Sequence, residues 1–390
     1  MTPGARWSAA EALLDAWGAG GGGAGMDRRL TAWGRRARYA GSGDRAAVAD
    51  IVYAALRRWR SLAWPETEGG ARARLLALAA QRGELGTWDG GRHAPSPPTE
   101  AEVARLGAGG AAPEGVRWDL PDWLVPLWRE SLGEGAEAAA LALAERAPLF
   151  LRVNRLKADP AAAVAALAED GVAAVPGPLS PDCLRVTEGA RALRRARAYL
   201  EGWVEVQDAA SQAVAGFARA RSGERVLDFC AGGGGKALAL AAAMEGHGEI
   251  VAHDADPARM ADLPARAARA GARVTVTTRP EGRFDLVFAD APCSGSGAWR
   301  RNPDAKWGFS PEDLAGLTAL QGEVLEAAAR FVRPGGRLVY ATCSVLAPEN
   351  DGAADGFAAR TGWRRGGTLR LAPNEGGDGF FATWLHPPGD

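Results

Sequence analysis

Lysine is nearly missing from this 390-residue chain: among 46 basic residues it stands only at Lys157, Lys236 and Lys306. With alanine and glycine abundant, that bias reads as the imprint of a GC-rich coding sequence rather than of function. Cysteine is also scarce. Cys183, Cys230, Cys293 and Cys343 are the only four, and no two form a CxxC pair. The ordinary spacing of structural zinc ligands is therefore excluded and no metal is expected. No run approaches the ~20 apolar residues that span a bilayer, so no membrane partner is expected either. The opening MTPGARWSAAEALLDAW has neither the charged start nor the apolar stretch of a signal peptide. A cytoplasmic location is expected, with the four cysteines as free thiols. Net charge is −1, so bulk charge does not mark a nucleic-acid binder. Locally the balance differs: Met1 to Arg60 holds ten arginines against five acidic residues. That excess fits either an RNA-facing domain or a solvated helical surface.

What is present reads as two or three domains. The first third is helical. Val48, Ile51, Val52, Ala55, Leu56 and Trp59 follow helical spacing, with Arg57, Arg58 and Arg60 largely off that stripe. Ser8–Trp17 and Arg72–Gln81 are further helices, separated by GAGGGGAG, a glycine loop. Gly90–Glu100 is a proline-rich loop. Helices starting at Pro121 and Glu134 follow, then a small α/β unit with strands at Phe150–Arg155 and Cys183–Val186 around a helix at Pro160–Asp170. From Glu224 strand and helix alternate. Strands are expected at Arg225–Phe229, Glu249–His253, Arg273–Thr277, Phe284–Ala289 and Arg337–Thr342. That order implies right-handed crossovers and a mainly parallel, doubly wound sheet. Ser310 and Pro311 open the last long helix, and Arg333-Pro334-Gly335-Gly336 is read as the turn into the last of these strands.

Three segments carry chemistry. In RVLDFCAGGGGKALAL, Arg225–Leu240, a strand runs through glycines into a helix, which suits a dinucleotide, a nucleoside or a phosphate. It is not a P-loop, because Ala rather than Ser or Thr follows Lys236. In IVAHDADPARM, an acidic residue at a strand end is placed to hold a ribose, Asp254 ahead of Asp256. FADAPCSGSGAWRRNPDAKW and VYATCSVLAPENDG each put a cysteine, Cys293 and Cys343, just past the C-terminal end of an apolar strand. Those ends form the active edge of an open α/β sheet, so the matched pair points to catalysis.

These segments resemble the motifs of the Nol/Nop/Sun RNA cytosine-5 methyltransferases: D-x-C-A-A-P-G-G-K, D-A-P-C-S-x-x-G-x-x-R-R-x-P-D, and T-C-S followed by E-N. FLRVNRLKADP and GWVEVQDAASQAVA are similar too, and GDRAAVADIVYAALRRWRSL resembles the NusB-type helical domain of the RsmB-like bacterial members. The resemblance implies a Rossmann-like methyltransferase domain at 202–390 that uses S-adenosylmethionine. Before it would lie a small α/β, RRM-like subdomain with linker helices at 119–201 and a helical NusB-like RNA-binding domain at 1–118. It implies Cys343 as the nucleophile toward cytosine carbon 6, Cys293 as the residue assisting product release, and Asp290 at the cytosine ring and near the cofactor. It further implies a cofactor site made by Cys230, Ala231, Gly232, Gly233, Gly234, Gly235, Lys236, Asp254 and Asp290. Arg300, Arg301 and Lys306 would meet RNA phosphates, with Trp299 or Trp307 as stacking surfaces. Covalent catalysis fits the chemistry: a thiolate added at carbon 6 makes carbon 5 nucleophilic.

The chain departs from the pattern in two places. Gly232 and Gly233 replace Ala and Pro, which removes a rigid residue from the loop. The acidic residue usual after the third strand is missing; Thr277, Thr278 and Arg279 stand there, and no adenine partner is assigned. The expected substrate is 16S ribosomal RNA, met by a monomer. Transfer RNA is the alternative substrate. The other alternative is a catalytically impaired, RNA-binding ribosome-assembly protein.

Overall fold

The computed structural model describes residues 1–19, 25–65, 69–106 and 108–389. Residues 20–24, most of the expected glycine loop, lie outside the described residues. The chain forms two compact units. One holds Met1–Arg129, Gly133–Arg146 and Trp299–Ser310; the other holds Glu130–Leu132, Ala147–Ala298 and Pro311–Asp390. The division differs from the expected boundary at 118, because the helices after Pro121 are counted largely with the helical unit and a short segment from beyond Cys293 joins them.

In the helical unit the periodic stripe is the core: Val48, Ile51, Val52, Ala55 and Leu56 of the Ser42–Arg57 helix pack with Trp7, Leu14, Leu75 and Trp88. Trp59 is half-buried and meets Trp17 edge-on, with ring centroids 5.2 Å apart. Arg57 is not on the outside, as spacing suggested. It is buried, and its Nε donates to the Arg300 carbonyl at 2.6 Å. Burial lowers its pKa to about 10, still charged at neutral pH.

The second unit contains two sheets. Strands β1 (Phe150–Val153), β2 (Ala173–Pro176), β3 (Cys183–Glu188) and β4 (Val204–Val206) make an antiparallel sheet in the order β2-β3-β1-β4. The larger sheet uses β5 (Arg225–Asp228), β6 (Glu249–Ala252), β7 (Thr275–Val276), β8 (Phe284–Asp290), β9 (Val332–Thr342), β10 (Arg364–Leu371) and β11 (Phe380–His386). Its order is β10-β11-β9-β8-β5-β6-β7. Strands β5 to β9 pair in parallel, and β11 runs antiparallel to both β9 and β10. The doubly wound, Rossmann-like core expected from the alternation is therefore present, closed at one edge by a hairpin the sequence reading missed.

Alternation along the strands explains the two buried faces. Val226, Leu286, Phe288, Val339 and Ala341 pack with the Gly235–Ala243 and Leu263–Ala270 helices. Leu227, Val287, Ala289, Leu338 and Tyr340 pack with the Pro311–Ala329 and Asp351–Thr361 helices. A parallel sheet needs both faces covered in this way. The expected turn at Arg333–Gly336 is a bulge inside β9: Phe284 pairs with Val332, and the next pairing is Leu286 with Arg337. Gly335, at φ 71°, supplies the left-handed residue.

The strand order reverses at β5, whose neighbours are β6 and β8. Ligands of open α/β sheets sit at the C-terminal ends of strands at such a switch point. The last residue of β5, Asp228, is 0% exposed, and neither carboxylate oxygen has a hydrogen-bond partner. Its pKa is raised to about 7, chiefly by burial; Lys236 opposes the shift, and Asp290 and Asp254 add to it. In the unfolded chain the same carboxyl ionises near pH 4. Between those values the folded state holds the extra proton, so this group's stabilising effect is lost as pH rises through that window. The upper limit of the loss is about 4 kcal/mol. Asp228→Asn is expected to raise the thermal midpoint relative to the parent more at about pH 8 than at about pH 5. Equal differences at both pH values would show that Asp228 does not titrate in this range.

Candidate functional site

Four strand ends build one site. After β5 the chain passes Cys230 and Ala231 and turns through Gly232, at φ 49°, and Gly234, at φ 80°, into the Gly235–Ala243 helix. A Cβ at Gly234 would lie 2.1 Å from Leu263 Cδ1, so only glycine fits that close approach. The rigidity that a proline would have supplied is replaced by side chains. The Gly232 amide donates to Asp254 at 2.8 Å. Arg266 donates to the Gly233 carbonyl, and is itself held by Glu205 at 3.1 Å.

Asp254 follows β6 and is buried. Beyond the Gly232 amide it pairs with Arg259 at 3.1 Å. Asp256, the second ribose candidate, accepts from the Ala258 amide and caps the turn at Pro257–Met260. Both carboxylates have local partners, Asp254 also accepting from the Asp256 amide at 3.0 Å, and neither lines the cavity described below. Thr277, Thr278 and Arg279 do not line the cavity described below; Thr277 and Arg279 bond to one another instead.

From β8 comes Asp290, whose Oδ2 accepts from Lys236 Nζ at 2.5 Å. Burial works against charge on Lys236, but Asp290 outweighs it, aided by Cys343 and Asp228, and the pKa is raised. Lys236 is therefore an ammonium at neutral pH. Cys293 follows β8 and Cys343 follows β9, with their sulfurs 3.4 Å apart. The hydrogen bond to Cys343, then burial, pushes the Cys293 thiol well up. Either sulfur can donate in that contact. The other two cysteines are outside this chemistry. Burial raises Cys230, and pushes Cys183 up to about 12. All four are free thiols.

The spacing of the sulfurs is set from behind by Glu349, which sequence reading left as part of an E-N signature without a role. Its buried carboxylate accepts from the Ser294 amide at 2.7 Å, the Ser294 and Ser344 hydroxyls at 2.5 Å each, and Gln321 Nε2 at 3.1 Å. Ser296 Oγ meets Ser344 Oγ at 2.8 Å, and Asn350 takes up Thr342 Oγ1 and the Ser344 carbonyl. One carboxylate thus fastens the residue after Cys293 to the residue after Cys343.

The front of the site is a cavity of about 580 Å³, within the range of small-molecule sites. Gln207, Ser211, Cys230, the glycine turn, Lys236, Arg259, Arg266, Asp290, Cys293 and Cys343 contribute to its walls. Gln207 and Ser211 lie in the GWVEVQDAASQAVA segment and Arg259 in IVAHDADPARM, but no role was expected of them, and Arg266 lies outside every motif segment. The expected phosphate contacts need correction. Arg300 is 2% exposed and Lys306 1% exposed, both inside the helical unit. Lys306 Nζ donates to the Arg57 carbonyl at 3.3 Å, and burial lowers its pKa to about 8. Neither reaches a solvent-borne phosphate. Arg301 is exposed. The stacking role considered for two tryptophans also yields to packing: Trp299 is buried in a stack with Trp128, and Trp307 donates to the Leu56 carbonyl at 2.7 Å.

Glu349→Ala would remove the acceptor of four donors, three of them on the cysteine loops. A loss of at least about 3 kcal/mol in unfolding free energy is expected, because removing one member of a buried charged network leaves its partners unsatisfied. Urea titration of the parent and variant checks this, and coincident curves would refute it.

Comparison with known proteins agrees with this geometry. Residues 217–366 match the family described as 16S rRNA methyltransferase RsmB/F, and residues 120–192 match the ferredoxin-like domain of RsmF/B-like methyltransferases. The chain is 36% identical over 285 residues to the ribosomal RNA small subunit methyltransferase B of Citrobacter koseri, covering 68% of this chain and 66% of that protein. The Salmonella arizonae protein of the same name is 35% identical over the same shares. The alignment thus spans a little under two thirds of these relatives. Among solved structures, PH0851 superposes with a TM-score of 0.76 at 23% identity, over 97% of this chain and 98% of that one. NSun6 from Pyrococcus horikoshii with SFG superposes with a TM-score of 0.62 at 18% identity, over 70% and 99%. At these identities the superpositions speak for the fold. The sequence matches, which include the segment that builds the two-cysteine site, place the chain in the RsmB/F methyltransferase family.

Proposed function

We propose that this chain is an S-adenosylmethionine-dependent cytosine-5 methyltransferase of small-subunit ribosomal RNA. The observation that carries the reading is the pair of sulfurs 3.4 Å apart on one cavity wall with the Lys236–Asp290 ion pair. The names of the relatives supply the substrate class.

The residues present suit the cofactor. Asp228, Asp254 and Asp290 converge beneath and beside the glycine turn, and Asp228 has no hydrogen-bonding partner of its own. Asp290 is the carboxylate on the cavity wall, beside Lys236, and suits the hydroxyl or amino donors of a ligand. Arg259, Arg266 and the amide end of the Gly235–Ala243 helix offer the complement for its carboxylate. S-adenosylmethionine when bound supplies an electrophilic methyl group. Asp254 would hold the ribose, and the glycine turn with Lys236 would hold the amino-acid end.

Cys343, beside the Cys293 thiol and Lys236, adds as a thiolate to carbon 6 of an unpaired cytosine. Asp290 receives the ring at N3 and the exocyclic amine, where charge develops. After carbon 5 is methylated its hydrogen leaves as a proton, the bond from carbon 6 to Cys343 breaks, and Cys293 assists that release. The base must be unstacked to reach the sulfurs.

Cys343→Ala is expected to abolish methyl transfer to 16S RNA while calorimetric binding of S-adenosylmethionine persists. Cys293→Ala is expected to accumulate a covalent protein–RNA adduct, seen as a slow band on a denaturing gel. Absence of cofactor binding by the parent would favour a ribosome-assembly protein without activity. Turnover that survives Cys343→Ala would remove the covalent route.

A further inference from the structure

One helix joins the small antiparallel sheet to the glycine turn, and a single carboxylate of that sheet grips it. Glu205 stands on β4 and is buried. It lies directly opposite Arg152 in the β1–β4 pairing. Its carboxylate also takes two arginines from the Leu263–Ala270 helix, Arg266 at 3.1 Å and Arg269 at 2.8 Å. Three positions apart, they share one helix face. The end of that helix is tied to the same sheet: Asn154 Nδ2 donates to the Gly202 carbonyl at 2.9 Å and to the Ala270 carbonyl at 2.7 Å. Its start is pressed against the glycine turn by Leu263, beside Gly234. Between those two ends Arg266 bridges sheet and turn. One terminal nitrogen meets Glu205 and the other donates to the Gly233 carbonyl.

Charge decides what keeps Arg266 there. Arg152, Arg266 and Arg269 all face the one carboxylate of Glu205. Arg152 also donates to Gln207 at 2.6 Å, and Arg269 lies over the Tyr199 ring at 4.6 Å. Each of these two has a second partner that does not belong to the turn. Among the described residues the bonds of Arg266 are those to Glu205 and to Gly233 itself. Without the negative charge at position 205, three guanidiniums repel one another, and Arg266 is the one on a flexible stem with least to hold it. Its departure would free the Gly233 carbonyl, the point in the turn where the family pattern carries a proline.

We propose that Glu205 is a positioning residue for the cofactor: from the small sheet it holds Arg266 against Gly233 and so fixes the turn that receives the amino-acid end of S-adenosylmethionine. This rests on the reading of the chain as an S-adenosylmethionine-dependent enzyme, and it makes the small sheet a working part of the cofactor site. Two measurements on the full chain test it. Hydrogen–deuterium exchange of the ligand-free protein reads the turn itself, in a peptide over residues 230–238, and calorimetry reads S-adenosylmethionine binding. Glu205→Gln is expected to speed exchange over the turn and to raise the Kd about tenfold, the scale of one hydrogen bond to a charged group. Arg266→Gln should have the same two effects. Arg269→Gln cuts the other arm of the carboxylate at a similar depth, its side chain being 23% exposed against 24% for Arg266. It should leave turn and Kd near the parent values. Should Glu205→Gln fail to fold, Glu205→Asp replaces it, keeping the charge but withdrawing the carboxylate by one methylene, with effects in the same direction. Parent-like exchange over the turn in the Glu205 and Arg266 variants would overturn the proposal. So would a parent-like Kd in either, or effects of Arg269→Gln as large as theirs. A turn loosened by Glu205→Gln and not by Arg269→Gln, in a parent chain that binds no S-adenosylmethionine, would support the positioning role and remove the enzyme reading alone.

Discussion

A single buried carboxylate sets the geometry on which the chemistry depends. Glu349 binds donors on the loop after β8, the loop after β9 and the Pro311–Ala329 helix at once. Such a group is costly to desolvate, and the cost is offset only because every bond converges on it. The result is two loops that cannot drift apart independently. A sulfur–sulfur distance of 3.4 Å lets one thiol donate to the other without covalent closure. The Cys293 thiol is pushed up by its contact with Cys343 and by burial, with the charges of Glu349 and Asp290 adding to the effect.

The sheet supplies what that carboxylate cannot, a place for the pair. Strands β5 and β8 are neighbours at the point where strand order reverses, so the glycine turn and Asp290 approach each other across a cleft. The Lys236–Asp290 bond closes the same cleft from inside. Three carboxylates crowd this region, and Asp228 shows the consequence: a buried acid without partners is held near neutrality at physiological pH. On the cavity wall itself the charges alternate: Lys236, Arg259 and Arg266 stand with Asp290, while Asp228 and Asp254 are buried behind them.

How much of this was legible follows from the kind of signal each part leaves. The parallel strands were readable because burial on both faces produces continuous apolar runs such as Leu286–Ala289. The hairpin of β10 and β11 was not, since RRGGTLRL carries two glycines and three arginines and resembles a loop. Motif spacing located Asp254, Asp290, Cys293 and Cys343, all of which the fold gathers at one edge. It misjudged Arg300 and Lys306, because sequence cannot tell a cation bound for phosphate from one whose hydrogen bonds are made to carbonyls in a core. It also missed Arg266, whose bond to Gly233 takes over from a proline and depends on a helix thirty residues downstream in the chain.

The scarcity of lysine gives those positions meaning. Where a solvated cation suffices, this chain uses arginine, as along Arg35, Arg36 and Arg38. Two of the three lysines stand instead in confined places: Lys236 between Asp290 and the sulfurs, and Lys306 over the Trp307 ring at 4.5 Å with its charge weakened by burial. A planar guanidinium presents five donors in a fixed fork and cannot give up its proton, whereas an ammonium is a compact point charge whose pKa the surroundings can move. At position 236 that compactness allows one cation to serve a carboxylate and a nearby sulfur together. A composition biased against lysine has kept it where arginine's shape, rather than its charge, would be wrong.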